Sequence, residues 1–187
     1  MSRFDCLNQK KDVAIIGAGV NGVGIARELA MRGISCVVVD KGDICNATSS
    51  CSSKLVHGGL RYLEMGQFKL VFQACIERYR LLKNAPHLVK KLSFLLPVYK
   101  QDKHPLWKLK IGLTLYHFFS FFHRIGKPQF LSKKEVLDKE PWIASENLVG
   151  GAIYQDAQMD DARICVELMM QAAQYGAKLL SYCEVEG

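Results

Sequence analysis

Residues 12–22 read Asp12-Val13-Ala14-Ile15-Ile16-Gly17-Ala18-Gly19-Val20-Asn21-Gly22. Asp12 to Ile16 is a short, mostly apolar run of strand character, and three glycines follow it in the spacing G-x-G-x-x-G. Beyond them Val23, Ala26 and Ala30 recur on one face at helical intervals, and Gly33 stops that helix. Ser35 to Val39 is a second apolar, β-branched run and ends at Asp40. Strand, helix and strand in this order predict a β-α-β unit, its parallel strands joined by a right-handed crossover.

Each part of this stretch has a physical use. Gly17 allows a tight turn, Gly19 lets backbone approach a pyrophosphate, and Gly22 lets helix and strand pack closely. The helix N-terminus offers free N–H groups and a positive dipole end to phosphates. Asp40, about 20 residues on, can accept hydrogen bonds from the ribose hydroxyls of an adenosine. A glycine-rich turn in an unrelated α/β protein is the competing reading, and strand, helix and acid in place together argue against it. The motif alone does not separate NAD from FAD.

The residues after the second strand do bear on that choice. A nicotinamide dehydrogenase usually continues with another regular β-α unit. Here residues 42–62 are rich in Ser, Thr and Gly, which permit close backbone approach to a ligand. Lys54, His57, Arg61 and Tyr62 stand among them, more chemistry than a mere linker needs. Residues 48–64, TSSCSSKLVHGGLRYLE, resemble the signature of FAD-dependent glycerol-3-phosphate dehydrogenases. These are membrane-associated, quinone-reducing enzymes of the wider D-amino-acid-oxidase-like flavoprotein superfamily. The resemblance runs the length of the chain and includes Ala85-Pro86-His87, Trp107 to Tyr116 and Asp160-Asp161-Ala162-Arg163.

The resemblance implies an α/β fold, a Rossmann-like FAD-binding domain incomplete at its C-terminal end. It implies oxidation of sn-glycerol 3-phosphate to dihydroxyacetone phosphate, by hydride transfer to FAD and electron transfer to a quinone. Carried over by motif, Gly17, Gly19, Gly22 and Asp40 match the adenine-side FAD contacts. Ser49, Ser50, Ser53, Lys54, His57 and Gly58 match the loop along pyrophosphate and flavin, and Arg61 and Tyr62 match positions near substrate. A guanidinium fork suits a phosphate, which agrees with Arg61 in that place, although most arginines are simply exposed. Asp40 stands where the family more often has glutamate, and Cys51 replaces a small residue of the serine run.

Family members are far longer than 187 residues, so the chain is expected to be an N-terminal portion lacking the catalytic base and most of the phosphate clamp. Catalytic residues are accordingly left unassigned, since His57 has no identifiable partner in the sequence. Two other readings are carried: a non-catalytic nucleotide- or membrane-binding fragment, and a glycerophosphate oxidase using oxygen. Homo-oligomerisation is left open for the full-length protein, and no nucleic acid is expected as a partner.

Outward from these motifs the chain is ordinary for a globular protein, with 49% hydrophobic and 23% charged residues, which excludes a disordered chain. Its formal charge of +7 favours anionic partners without choosing among phosphorylated substrates, nucleic acid and acidic membrane. Seven cysteines, at 6, 36, 45, 51, 75, 165 and 183, contain no C-x-x-C pair, and His117 and His123 lack the i, i+4 spacing of a helical ligand pair, so no metal site is expected. Reduced cysteines and a polar Met1–Lys11 segment point to a cytoplasmic protein without a signal peptide, peripheral on the cytoplasmic membrane if the resemblance holds.

The organisation expected is a dinucleotide- and flavin-binding core over 12–64, a helical and interface insert over 65–150, and a return helix and strand over 151–187. In the insert, Phe68, Phe72, Cys75, Tyr79 and Leu82 predict an amphipathic helix bounded by Pro86. Residues 106–125 crowd aromatic and aliphatic side chains between Lys108, Lys110, His123 and Arg124. That segment is too short to span a bilayer and reads as a buried or interface helix, or as a basic aromatic face lying on a membrane. A last helix is expected behind a cap at Asp160 or Asp161, with Ile164, Leu168, Ala172 and Tyr175 on one face, and then a strand over 178–185.

Overall fold

The structure, a computed structural model, describes Phe4, residues 8–120 and residues 125–186. Cys6 and the aromatic and basic run Phe121, Phe122, His123 and Arg124 lie outside the described residues. In chain order the elements are β1 (Val13–Ile16), α1 (Val20–Met31), β2 (Cys36–Val39), a 3-10 turn (Thr48–Ser50), β3 (Leu55–Val56), α2 (Leu60–Glu64) and α3 (Phe68–Asn84). There follow β4 (Val89–Tyr99), α4 (Leu106–Phe119), β5 (Gln129–Ser132), α5 (Lys133–Lys139), β6 (Leu148–Met159), α6 (Asp161–Gln174) and β7 (Lys178–Leu180). They group into two compact units, Met1–Lys54 with Asp160–Gly187, and Leu55–Met159.

The first unit is a parallel sheet in the order β1-β2-β7. Val13 to Ile16 pair with Cys36 to Val39, and Val37 to Val39 pair with Lys178 to Leu180. All four residues of β2 are buried, as befits the central strand of a parallel sheet covered on both faces. Cys36 and Val38 point into a core with Ile15, Val23, Ala26, Ala30, Cys165, Met169 and Ala172. Val37 and Val39 meet Leu180 on the other face. Ala26 and Ala30 are small enough for α1 and α6 to share that core. The expected β-α-β unit is present, and Gly33, at φ +75, follows the helix in the left-handed conformation. Asp160 caps α6 by accepting from the Arg163 N–H at 3.0 Å. The buried face of α6 is turned from the expected one: Asp161, Cys165, Met169 and Ala172 are inside, and Tyr175 is exposed.

The second unit corrects the expectation of a helical insert. It is built on β6, a 12-residue strand that pairs antiparallel with β4 along one edge and with β5 and β3 along the other. Neither β4 nor β6 was expected, because each finds its partner tens of residues away in the chain, from Val98↔Gly150 to Val89↔Met159. The expected strand over 178–185 is shorter, Lys178–Leu180. The helix over Phe68–Asn84 is where the periodicity puts it, but its buried residues are Val71, Cys75 and Arg78, while Phe68, Phe72 and Tyr79 are exposed. Helix α4 buries Leu113 and Tyr116 and leaves Trp107, Ile111, Leu115 and Phe118 exposed.

Candidate functional site

In the first unit the glycine turn closes as its spacing requires. The Gly17 N–H donates to the Val39 carbonyl at 2.8 Å, and Gly17 adopts φ +104, where a side chain is disfavoured. Nothing lies within 4 Å of the position a Cβ on Gly17 would take. A Cβ on Gly22 would overlap the Gly17 carbonyl oxygen, so this glycine is demanded by packing inside the turn.

Asp40, at the end of β2, accepts the Ala18 N–H at 2.6 Å on one carboxylate oxygen and the Gly42 N–H at 2.8 Å on the other. It thus ties both β2 and the following loop to the glycine turn. Ser49 Oγ accepts the Val20 N–H at 3.0 Å and caps α1, whose own cap position, Gly19, has no side chain to do so. A Cβ on Gly19 would stand 3.2 Å from that same Oγ.

Further along the run, Ser52 and Lys54 are held by Asp161. Its carboxylate accepts from the Ser52 hydroxyl at 2.7 Å, the Ser52 N–H at 3.2 Å and the Ala162 N–H at 2.9 Å, with Lys54 Nζ at 3.8 Å. The hydrogen bond from the Ser52 hydroxyl, followed by the backbone N–H groups and Lys54, holds the Asp161 carboxyl below its ordinary range. Ser50 Oγ donates to the Ala47 carbonyl at 3.2 Å, and Ser53 is exposed. Lys54 takes a left-handed φ of +57, unusual for a residue with a side chain.

In the second unit a cleft of about 920 Å³ is lined by His57, Gly59, Arg61, Tyr62, His104 and Lys108, over Phe94, Tyr154 and Asp156 of the sheet. Its size is that of a small-molecule site. Glu64 bridges His104 Nε2 and Lys108 Nζ, each at 3.3 Å, and the Lys108 hydrogen bond foremost holds its carboxyl below the ordinary range. Among the described residues none pairs with the guanidinium of Arg61, which is exposed at the cleft.

Beneath the cleft lies a polar cluster that sequence reasoning missed. Arg78 and Asp156 are each 1% exposed and form an ion pair through Arg78 Nη1 and Asp156 Oδ1. Tyr116 Oη lies 2.8 Å from each of those two atoms and accepts the Gly58 N–H at 2.7 Å. Burial, together with the Asp156 carboxylate, pushes the Tyr116 phenol far above its ordinary pKa and the Tyr154 phenol up to about 12. The available signal was Arg78 itself, an arginine standing in register with Val71 and Cys75 on an apolar stripe, where a charge requires a partner.

Residues 12–187 match the family model of the FAD dependent oxidoreductases. The chain is 38% identical over 175 residues to the aerobic glycerol-3-phosphate dehydrogenase of Staphylococcus haemolyticus, covering 94% of this chain and 31% of that protein. It is 39% identical over 181 residues to the glycerol-3-phosphate dehydrogenase of Synechocystis sp., covering 96% and 33%. The chain therefore spans about a third of the length of these relatives. Among solved structures, the glycerol-3-phosphate dehydrogenase from Bacillus halodurans complexed with FAD is similar at a TM-score of 0.71 and 32% identity, covering 98% of this chain and 29% of that one.

Proposed function

The chain belongs to the FAD dependent oxidoreductase family, and from that membership we propose that it serves the oxidation of sn-glycerol 3-phosphate to dihydroxyacetone phosphate with a quinone as final electron acceptor. The observation that carries the substrate is Arg61, whose guanidinium is exposed and without a partner among the described residues where it lines a cleft of about 920 Å³. A planar fork of N–H donors suits a phosphate, and Tyr62 beside it offers a hydroxyl. The similarity to two glycerol-3-phosphate dehydrogenases at 38% and 39% identity supports the same reading.

The residues present fit an FAD. Gly17 leaves open space where a side chain would stand, α1 begins beside it, and Ser49 caps its first N–H. We assign Gly17, Gly19, Gly22 and Asp40 to the adenine side of the cofactor, and Ser49, Ser50, Ser53 and Lys54 to the pyrophosphate. His57 and Gly58 are assigned to the flavin. Asp40 retains lone pairs for ribose hydroxyls, because each carboxylate oxygen accepts two hydrogen bonds and here accepts one from backbone. FAD supplies the two-electron acceptor for the C2 hydride of the substrate. What the chain's own residues do is bind and orient: Arg61 and Tyr62 hold the phosphate end, and the cleft walls exclude water from the carbon that reacts.

Helix α4 adds a proposed membrane contact. Trp107, Ile111, Leu115 and Phe118 recur at intervals of four, four and three and are all exposed, with Lys108 and Lys110 beside them. Among the described residues no helix is long and apolar enough to cross a membrane, and a stripe of this kind lies in the interface plane instead. We place the protein on the cytoplasmic face.

The test is Arg61→Ala, in the enzyme that carries this chain. Loss of a charge-assisted contact worth about 1.5–3 kcal/mol raises the KM for glycerol 3-phosphate roughly 10- to 100-fold in dye-reduction assays. An unchanged KM removes Arg61 from the phosphate site, and hydrogen peroxide formed in step with substrate oxidation replaces the quinone by oxygen.

A further inference from the structure

The buried cluster of Arg78, Tyr116 and Asp156 has no part in the contacts assigned above, yet its geometry is unusually constrained. A guanidinium and a carboxylate taken out of water cost several kcal/mol each, about what a poor pairing fails to return. These two sit on different elements, α3 and β6, and Tyr116 reaches them from α4. Tyr116 and Asp156 both accept from one backbone group, the N–H of Gly58, which belongs to no helix or strand, and Arg78 donates to both of these acceptors.

The direction of the Tyr116 proton follows from donor counting. A phenol has one hydrogen and two lone pairs. Tyr116 Oη accepts from the Gly58 N–H at 2.7 Å and from Arg78 Nη1 at 2.8 Å, so its own proton must go to Asp156 Oδ1 at 2.8 Å. The reverse orientation would point the phenol proton at another donor. The arrangement therefore has a single hydrogen-bonded state, and burial keeps the phenol protonated in it. The fit around Gly58 is equally tight, since a Cβ there would run into Tyr116 Oη and, at 2.5 Å, Cys75 Sγ.

What the cluster grips is the turn that feeds the cleft. His57 precedes Gly58, Gly59 follows in the left-handed region at φ +74, and α2 starts at Leu60 with Arg61 as its second residue. His57, Gly59, Arg61 and Tyr62 all line the cleft. We propose that Arg78, Tyr116 and Asp156 are positioning residues for the reaction. They clamp the Gly58 N–H and so set the His57-Gly58-Gly59 turn from which His57 and Arg61 are presented to cofactor and substrate. What the cleft receives rests on the functional reading above; the clamp itself does not. The phenol is no proton carrier, because its hydrogen is committed to Asp156.

Amide hydrogen exchange on the full chain, with and without FAD, tests this. In the unsubstituted chain the Gly58 amide exchanges as slowly as amides within α3, although it lies in a turn. Tyr116→Phe keeps the ring and removes the acceptor, and speeds exchange at Gly58 roughly tenfold while the amides of Val71 and Ala152 hold. In the FAD-loaded chain the same variant shifts the visible flavin band and weakens binding of glycerol 3-phosphate about tenfold, with FAD affinity unchanged. Fast exchange at Gly58 in the unsubstituted chain overturns the clamp without any variant. So does a uniform rise across the unit in Tyr116→Phe, which would make the cluster mere packing, or a flavin band that does not move. A chain that takes up no FAD but shows the Gly58 response defeats the functional reading and leaves the clamp standing.

Discussion

Asp40 and Asp161 tie the glycine turn and the serine run to the backbone around them. Asp40 is short, so its carboxylate sits against the turn and accepts the Ala18 and Gly42 N–H groups at 2.6 and 2.8 Å. A glutamate at the end of β2 would reach further out. Asp161 is buried at the start of α6 and receives the Ser52 hydroxyl, two N–H groups and Lys54. The Ser52 hydroxyl foremost holds its folded pKa below the ordinary 3.8. A depressed folded pKa means stability that is present in full above the unfolded value and lost as pH falls through the folded one. Asp161→Asn therefore melts below the parent at pH 7, and the two melting curves draw together as the pH is lowered below 3.8. A difference that persists unchanged in acid would show that the aspartate acts through shape and not through charge.

At the scale of elements, helical periodicity located α3 and misjudged what it buries, while for α4 the sequence offered a helix without a face. A period says which residues share a face, while the neighbouring elements say which face goes inside. In α3 the tie between Arg78 and Asp156 of β6 turns Val71, Cys75 and Arg78 inward and leaves Phe68 and Phe72 out. In α4 the hydrogen bonds of Tyr116 fix the inward side, which puts Trp107, Ile111, Leu115 and Phe118 on the other. If that stripe meets a membrane, replacing Trp107 and Phe118 together by alanine removes enough apolar contact to lower binding to anionic vesicles roughly tenfold or more in co-sedimentation. Unchanged binding removes α4 from the membrane contact.

At the scale of the whole molecule, each unit has its own sheet and its own core, so ligand binding is a separate contribution to stability. An FAD that binds only the folded chain stabilises it by about 2.7 kcal/mol at 100 times its dissociation constant. Thermal melts with increasing FAD thus rise and sharpen, and a melting curve indifferent to FAD counts against the assigned cofactor residues. The glycine turn, its flanking strands and helix, Asp40 and the serine run were legible because their signals are local: a turn, a cap or a helical period is written within a few residues. Gly150 and Gly151 show the limit. In β6 a Cβ on Gly150 would stand 2.6 Å from the Leu131 carbonyl oxygen and one on Gly151 2.7 Å from that of Leu96, so the strand needs both glycines for a reason that no local pattern carries. The sequence alone determined the β-α-β unit with its glycine turn and the family resemblance. Only the tertiary structure decided the β6-centred sheet, the faces that α3 and α4 bury and the clamp on Gly58, because strand pairing and buried charge depend on partners tens of residues away in the chain.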